Sequence, residues 1–151
     1  MQKCHIVLNC LELNNMKLNS DSVAKMTRFI DRCCELPEYT VCFYVEDEET
    51  SNYLGDYLYR YYKSIDREDE IVERCSGVSN QIFFKNKSNI QIFNRDIMVS
   101  HIRSNVAFID SRLRENYVRE SVFPILCEYR FNDKEAMINP KPIYIKFVEE
   151  E

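Results

Sequence analysis

The stretch NVAFID, residues 105–110, is a hydrophobic run that ends on a carboxylate, the form a strand takes where it delivers an acid to a nucleotide site. Asp110 could hold a divalent ion on oxygen. Hydrolysis would need a second acid to orient water, and the next position is Ser111. A phosphate cradle needs glycines, whose backbone can turn several N–H groups towards one oxygen. The chain has only two, Gly55 and Gly77, and the segment NNMKLNSDSVAK, which holds Lys17 and Ser20, has none. Asp21, at the expected start of the first helix, would repel a phosphate.

Other chemistry-bearing residues do not assemble into a set. His5 and His101 are the only imidazoles, and no nucleophile or carboxylate is spaced to work with either. Cys4, His5 and Cys10 lack the CxxC pair or second histidine that zinc would take, so no metal and no cofactor is expected. Seven cysteines, an odd count mostly inside apolar runs, suit reduced thiols in a cytoplasmic setting better than a disulfide framework. The acids at 46–49 suit the N-terminal end of a helix dipole.

Charge is unevenly placed within a net of −5. Residues 46–74 carry ten acids against four bases, a net of −6, whereas Lys85, Lys87, Arg95 and Arg103 face only Asp96, a net of +3. The basic group is a candidate contact for nucleic acid or phosphate, though four charges on an acidic protein would bind weakly and salt-sensitively. Tyr57, Tyr59, Tyr61 and Tyr62 crowd one helix, where core packing and a protein-contact patch are both expected.

These residues need elements to position them. At 151 residues one domain is expected over 1–151. No apolar run reaches the roughly 20 residues that span a bilayer. The N-terminal HIVLNCLEL (5–13) is expected as a first strand rather than a signal peptide. Ser20 or Asp21 would cap a helix with Val23, Met26, Ile30, Cys33 and Leu36 on one stripe, stopped by Pro37. YTVCFYV (39–45) and NVAFID are apolar on both alternating faces, as buried parallel strands are. A second helix carries Leu54, Leu58, Tyr61 and Ile65, and residues 66–80 are expected as a polar loop. QIFFK and NIQIF flank a three-residue turn as a hairpin. A third helix places Leu113, Tyr117 and Val118 on one stripe and ends near Pro124, and KPIYIKFV (141–148) is a last strand. The order β-α-β-α-ββ-β-α-β predicts an α/β fold with a mostly parallel central sheet flanked by helices and an inserted hairpin.

This order resembles the N-terminal ATPase core of phage large terminases and related RecA-like, P-loop NTPase-like motor domains. NQIFFKNKSNIQIF is similar to that family's hairpin, VSHIRSNVAFIDS to its arginine loop and Walker B strand, and ENYVRESVFPIL and KPIYIKF to the helix and strand that follow. The resemblance covers roughly 5–148 and implies Asp110 as the Walker B acid. The glycine-rich phosphate loop is missing, Ser111 replaces the catalytic carboxylate, and the chain ends where a motor would continue into its nuclease domain. The expectation is a pseudo-ATPase, not an enzyme. Heavy use of Asn, Ile, Lys and Tyr suggests an AT-rich viral or phage genome, with the protein in the host cytoplasm. Its role would be protein–protein recognition, as an assembly scaffold or an inhibitor of a host factor. The alternatives are a nucleic-acid accessory protein using the basic hairpin and a metal-dependent enzyme using Asp110.

Overall fold

A computed structural model describes residues 16–76, 79–95, 103–129 and 140–149. The expected strand at 5–13, with Cys4, His5 and Cys10, lies outside the described residues, as does His101. The fold is α/β. Strands β2 (Thr40–Val45), β5 (Asn89–Asn94), β6 (Val106–Asp110) and β7 (Lys141–Ile145) run parallel, and β3 (Ile71–Cys75) and β4 (Asn80–Phe84) add antiparallel at one side. The order across the six-stranded sheet is β3-β4-β5-β2-β6-β7.

β2 and β6 are apolar on both faces because both faces are covered. Val41, Phe43, Val45, Val106 and Phe108 meet α1 (Ser20–Ile30) and α3 (Glu48–Ser64), which lie on the same side of the sheet. Paired Phe43 and Phe108 stack there with ring centroids 4.8 Å apart. Cys42, Tyr44, Ala107 and Ile109 face the other way, onto Leu113, Val118, Val122, Ile125 and Leu126.

The first helix begins one residue earlier than the expected caps. Asn19, not Ser20 or Asp21, accepts the Ser22 N–H on its side chain at 2.8 Å. Met26, Ile30 and Cys33 of the expected stripe are buried, and Val23 and Leu36 pack partly against them. The helix breaks at Asp31 and resumes as a single turn, α2 (Arg32–Glu35). In α3, Leu54, Leu58 and Tyr61 are buried as the stripe requires.

Four departures from the sequence reading have physical causes. Residues 66–80 are not all loop: Glu68–Glu70 form a 3-10 turn and Ile71–Cys75 form β3. β3 is an edge strand with a register shift between Ile71 and Glu73, so it shows no clean alternation and tolerates exposed Val72, Glu73 and Arg74. The third helix is irregular, with one α-turn (α4, Glu115–Tyr117), a π-turn at Val118–Val122 and a 3-10 turn at Phe123–Ile125 around Pro124. The last strand breaks at Lys146 into β7 and β8 (Phe147–Glu149). Finally, the segment before α1 is not wholly loop, because β1 (Met16–Leu18) pairs antiparallel with β8.

Five cysteines among the described residues, Cys33, Cys34, Cys42, Cys75 and Cys127, form no disulfide. No helix among the described residues is long and apolar enough to cross a membrane.

Candidate functional site

β2 and β6 are neighbours whose following connections diverge. The chain leaves β2 through α3 on one face and returns as β5 to one side, whereas it leaves β6 through 111–126 on the other face and returns as β7 to the other side. In open α/β sheets the carboxyl ends of two such strands flank the crevice that takes ligands. Asp110 is the last residue of β6 and is fully buried at this point.

Both of its carboxylate oxygens are occupied from within the chain. Oδ1 accepts from the Arg112 backbone N–H and from Arg112 Nε, each at 3.0 Å. Oδ2 accepts from Arg112 Nη2 at 2.7 Å and from the Glu46 N–H at 3.1 Å. Four good donors fill the acceptor capacity of one ionised carboxyl group. The fork-like contact with a guanidinium is the strong form of this bond, and it raises the Arg112 pKa above its ordinary value.

Arg112 extends the network across the crevice. Its Nη2 donates to Thr50 Oγ1 at 2.8 Å, and Thr50 Oγ1 donates to Asp47 Oδ1 at 2.6 Å. Asp47 caps α3 by accepting the Thr50 N–H at 2.8 Å. Partial burial opposes the Asp47 charge, but the two Thr50 hydrogen bonds and the field of Arg112 outweigh it and hold the carboxyl below its ordinary pKa. The guanidinium lies over the Phe147 ring of β8, 4.9 Å from its centroid. Phe147 is in turn edge-on to Tyr53 of α3, with centroids 6.0 Å apart. Phe147 and Arg112 together plug the crevice.

The approach to α1 is also engaged. The Asn19 N–H donates to the Lys146 carbonyl at 3.0 Å, and the Lys146 N–H donates to Ser22 Oγ at 2.9 Å. Leu18 and Lys17 pair with Phe147 and Val148. The segment that leads into α1 is a strand without glycine, held to β8.

The sequence-predicted contact residues scatter. Tyr57, Tyr61 and Tyr62 are core residues, at 2%, 5% and 0% exposure, and only Tyr59 is half-exposed, beneath the Arg74 guanidinium. These three rings cannot offer a contact surface, because their helical spacing points them at the sheet. Lys85 and Lys87 sit in the hairpin turn and Arg103 just before β6, all at the end of the sheet where the parallel strands start. Arg95 follows β5 at the opposite end and pairs with Glu46 at 3.0 Å. Charge count along the chain could not separate the two ends of a strand.

Sequence reasoning found Asp110 but missed Arg112, Thr50, Asp47 as a cap, and Phe147. Only Asp47 had a visible signal, an acid three residues before Thr50 at a helix start. A separate polar groove of about 560 Å³ lies between α3 and the β3–β4 connection, lined by Glu48, Asn52, Asp56, Arg74, Ser76 and Asn80. Its Arg74 is held by Asp56. No group of three or more histidine, cysteine, aspartate or glutamate side chains among the described residues is arranged to hold a metal ion. Comparison with family models, with curated proteins and with solved structures gave no match.

Proposed function

We propose that this protein is a catalytically inert α/β domain with the outline of a RecA-like, terminase-ATPase-type core, acting by binding another protein. The observation that carries the reading is the plug at the ends of β2 and β6. Asp110 is tied to Arg112, Arg112 is stacked on Phe147, and the strand bearing Phe147 holds the segment ahead of α1. A nucleotide there would need open backbone N–H groups for its phosphates and a carboxylate free to take Mg²⁺. Here the first are replaced by strand pairing and the second is neutralised by a tethered cation. A motor-like core in this condition serves as a shaped surface, and the composition suits a viral or phage product that scaffolds assembly or blocks a host factor.

The test is thermal unfolding with and without millimolar ATP–Mg²⁺ and ADP–Mg²⁺, run beside a phosphate-release assay. The expected result is no shift and no release. Ligand at 100 times its Kd stabilises a fold by about 2.7 kcal/mol, so binding of ordinary strength would move the transition by several degrees. A clear shift would sink the proposal.

A further inference from the structure

The end of the sheet opposite the plug has a different character. Lys87 and Arg103 each lie two residues before strand positions that share one level, Asn89 and Asn105, which flank Thr40. Lys141, the first residue of β7, donates its N–H to the Asn105 carbonyl at 3.3 Å and pairs with Val106, so it stands at the same end of the sheet but three residues further along the strands than Arg103. All three are exposed, and none forms an ion pair among the described residues. Strands about 4.8 Å apart, with about 3.3 Å of rise per residue, put Lys87 roughly 10 Å from Arg103 and roughly 17 Å from Lys141 at the backbone. Lys85 flanks the row, though it shares a small cavity with Glu70. Glu38, exposed just before β2, interrupts the row between Lys87 and Arg103.

The anchors of these cations are rigid. Asn86 donates to the Cys33 and Leu36 carbonyls at 2.9 and 3.1 Å, which fixes the hairpin turn and holds Lys87 at a φ of 71°. Ser104, next to Arg103, donates its N–H to the Ile125 carbonyl at 2.9 Å. Flexible arms on fixed posts lose less freedom on binding than arms on a loop.

We propose that this strand-start edge, Lys87, Arg103 and Lys141 with Lys85 beside them, is a contact site for the phosphate backbone of a nucleic acid. It is independent of the plugged crevice and goes beyond the protein-binding role. The cations are spread over a greater length than one small anion spans, so a single anion would engage only part of the set. A polymer with a charge every few ångströms offers a phosphate to each arm. The row extends in one direction, which suits a linear polyanion better than a flat anionic membrane.

The experiment is fluorescence anisotropy of a labelled single-stranded oligonucleotide with the full chain across a salt series. Weak binding is expected, with log Kd rising against log salt with a slope of about 2 to 3, since each contacted phosphate on a single strand contributes about 0.7. Lys87→Gln, Arg103→Gln and Lys141→Gln should each weaken binding and lower that slope by somewhat less than one. Glu38→Gln should act in the opposite direction and tighten binding, which a general loss of fold would not do. Arg60→Gln and Lys63→Gln on α3, and Arg95→Gln at the far end of the sheet, should leave binding unchanged. No binding at low salt would overturn the proposal, as would equal losses from the α3 variants, a neutral Glu38→Gln, or retention by phosphatidylserine vesicles without retention of the oligonucleotide.

Discussion

At the scale of single residues, the decisive fact is that Asp110 has a partner two positions away. Its place at the end of a buried strand was legible, because an unbroken apolar run before an acid has few other uses. Its occupation was not. Arg112 and Arg114 both follow within the stretch SRLRE, two and four positions after Asp110, and either offset could reach back; only the fold shows that Arg112 does and that Arg114 stays exposed. Asp47 makes the state of this network measurable. Its folded pKa lies below the unfolded value of about 3.9, so as pH falls the unfolded chain takes up the proton first. The stabilisation is therefore complete above that value and is lost as pH drops through the lower folded pKa. Asp47→Ala should cost about 1 kcal/mol at neutral pH, as lost caps do. The gap from the parent protein should narrow by pH 3 in urea titrations. A gap that stays constant over this range would mean that the carboxylate charge contributes nothing.

At the scale of elements, the sequence spoke clearly where one period ran uninterrupted. β2, β6, the β4–β5 hairpin and α3 all lie where the apolar pattern put them, within a residue or two. It failed where an element has a single covered face or a broken period, as at β3 with its bulge and at the π-turn of Val118–Val122. α3 also contains a choice that looks wrong locally. Gly55 sits inside a 17-residue helix, where glycine is about 1 kcal/mol worse than alanine. A Cβ there would lie 2.9 Å from Asn80 Oδ1 and 3.3 Å from Asn80 Cβ. Asn80 has little freedom to retreat, because it is buried and its Nδ2 donates to Ser51 Oγ and Asn52 Oδ1 at 2.8 and 3.1 Å. Gly55→Ala should therefore destabilise, by about 1–3 kcal/mol as overpacked sites do, despite the gain in helix propensity. In an Asn80→Ala background the same change should become neutral or favourable, a coupling that a double-mutant cycle of chemical denaturation would read. Equal effects in both backgrounds would place the role of Gly55 elsewhere.

At the scale of the molecule, the small β1–β8 sheet is packed onto the main core through Phe147 of β8 and Leu18 of β1. Phe147 is 6% exposed, and it touches Tyr53 of α3 and the guanidinium that neutralises Asp110. The strand that carries it also aligns the segment entering α1. None of this was legible beforehand, because KPIYIKFV is a plain continuous strand pattern whose break at Lys146 comes from long-range bonds to Asn19 and Ser22. A two-stranded ribbon is marginal alone in water, so β1 and β8 depend for their order on packing against the core, to which Phe147 contributes the largest side chain beside Leu18. Phe147→Ala should cost about 3–5 kcal/mol, the range for buried aromatics. It should also release the β1–β8 pairing before the main sheet unfolds. Hydrogen exchange would show this as lost protection of the Asn19 amide, whose acceptor is the Lys146 carbonyl, while amides of β2 and β6 exchange only with global unfolding. Phe147→Leu, which keeps apolar bulk but removes the ring beneath Arg112, should retain most of the stability and still loosen the guanidinium. If the Asn19 amide stays as protected as the β2 amides in Phe147→Ala, the ribbon is held by something other than the plug.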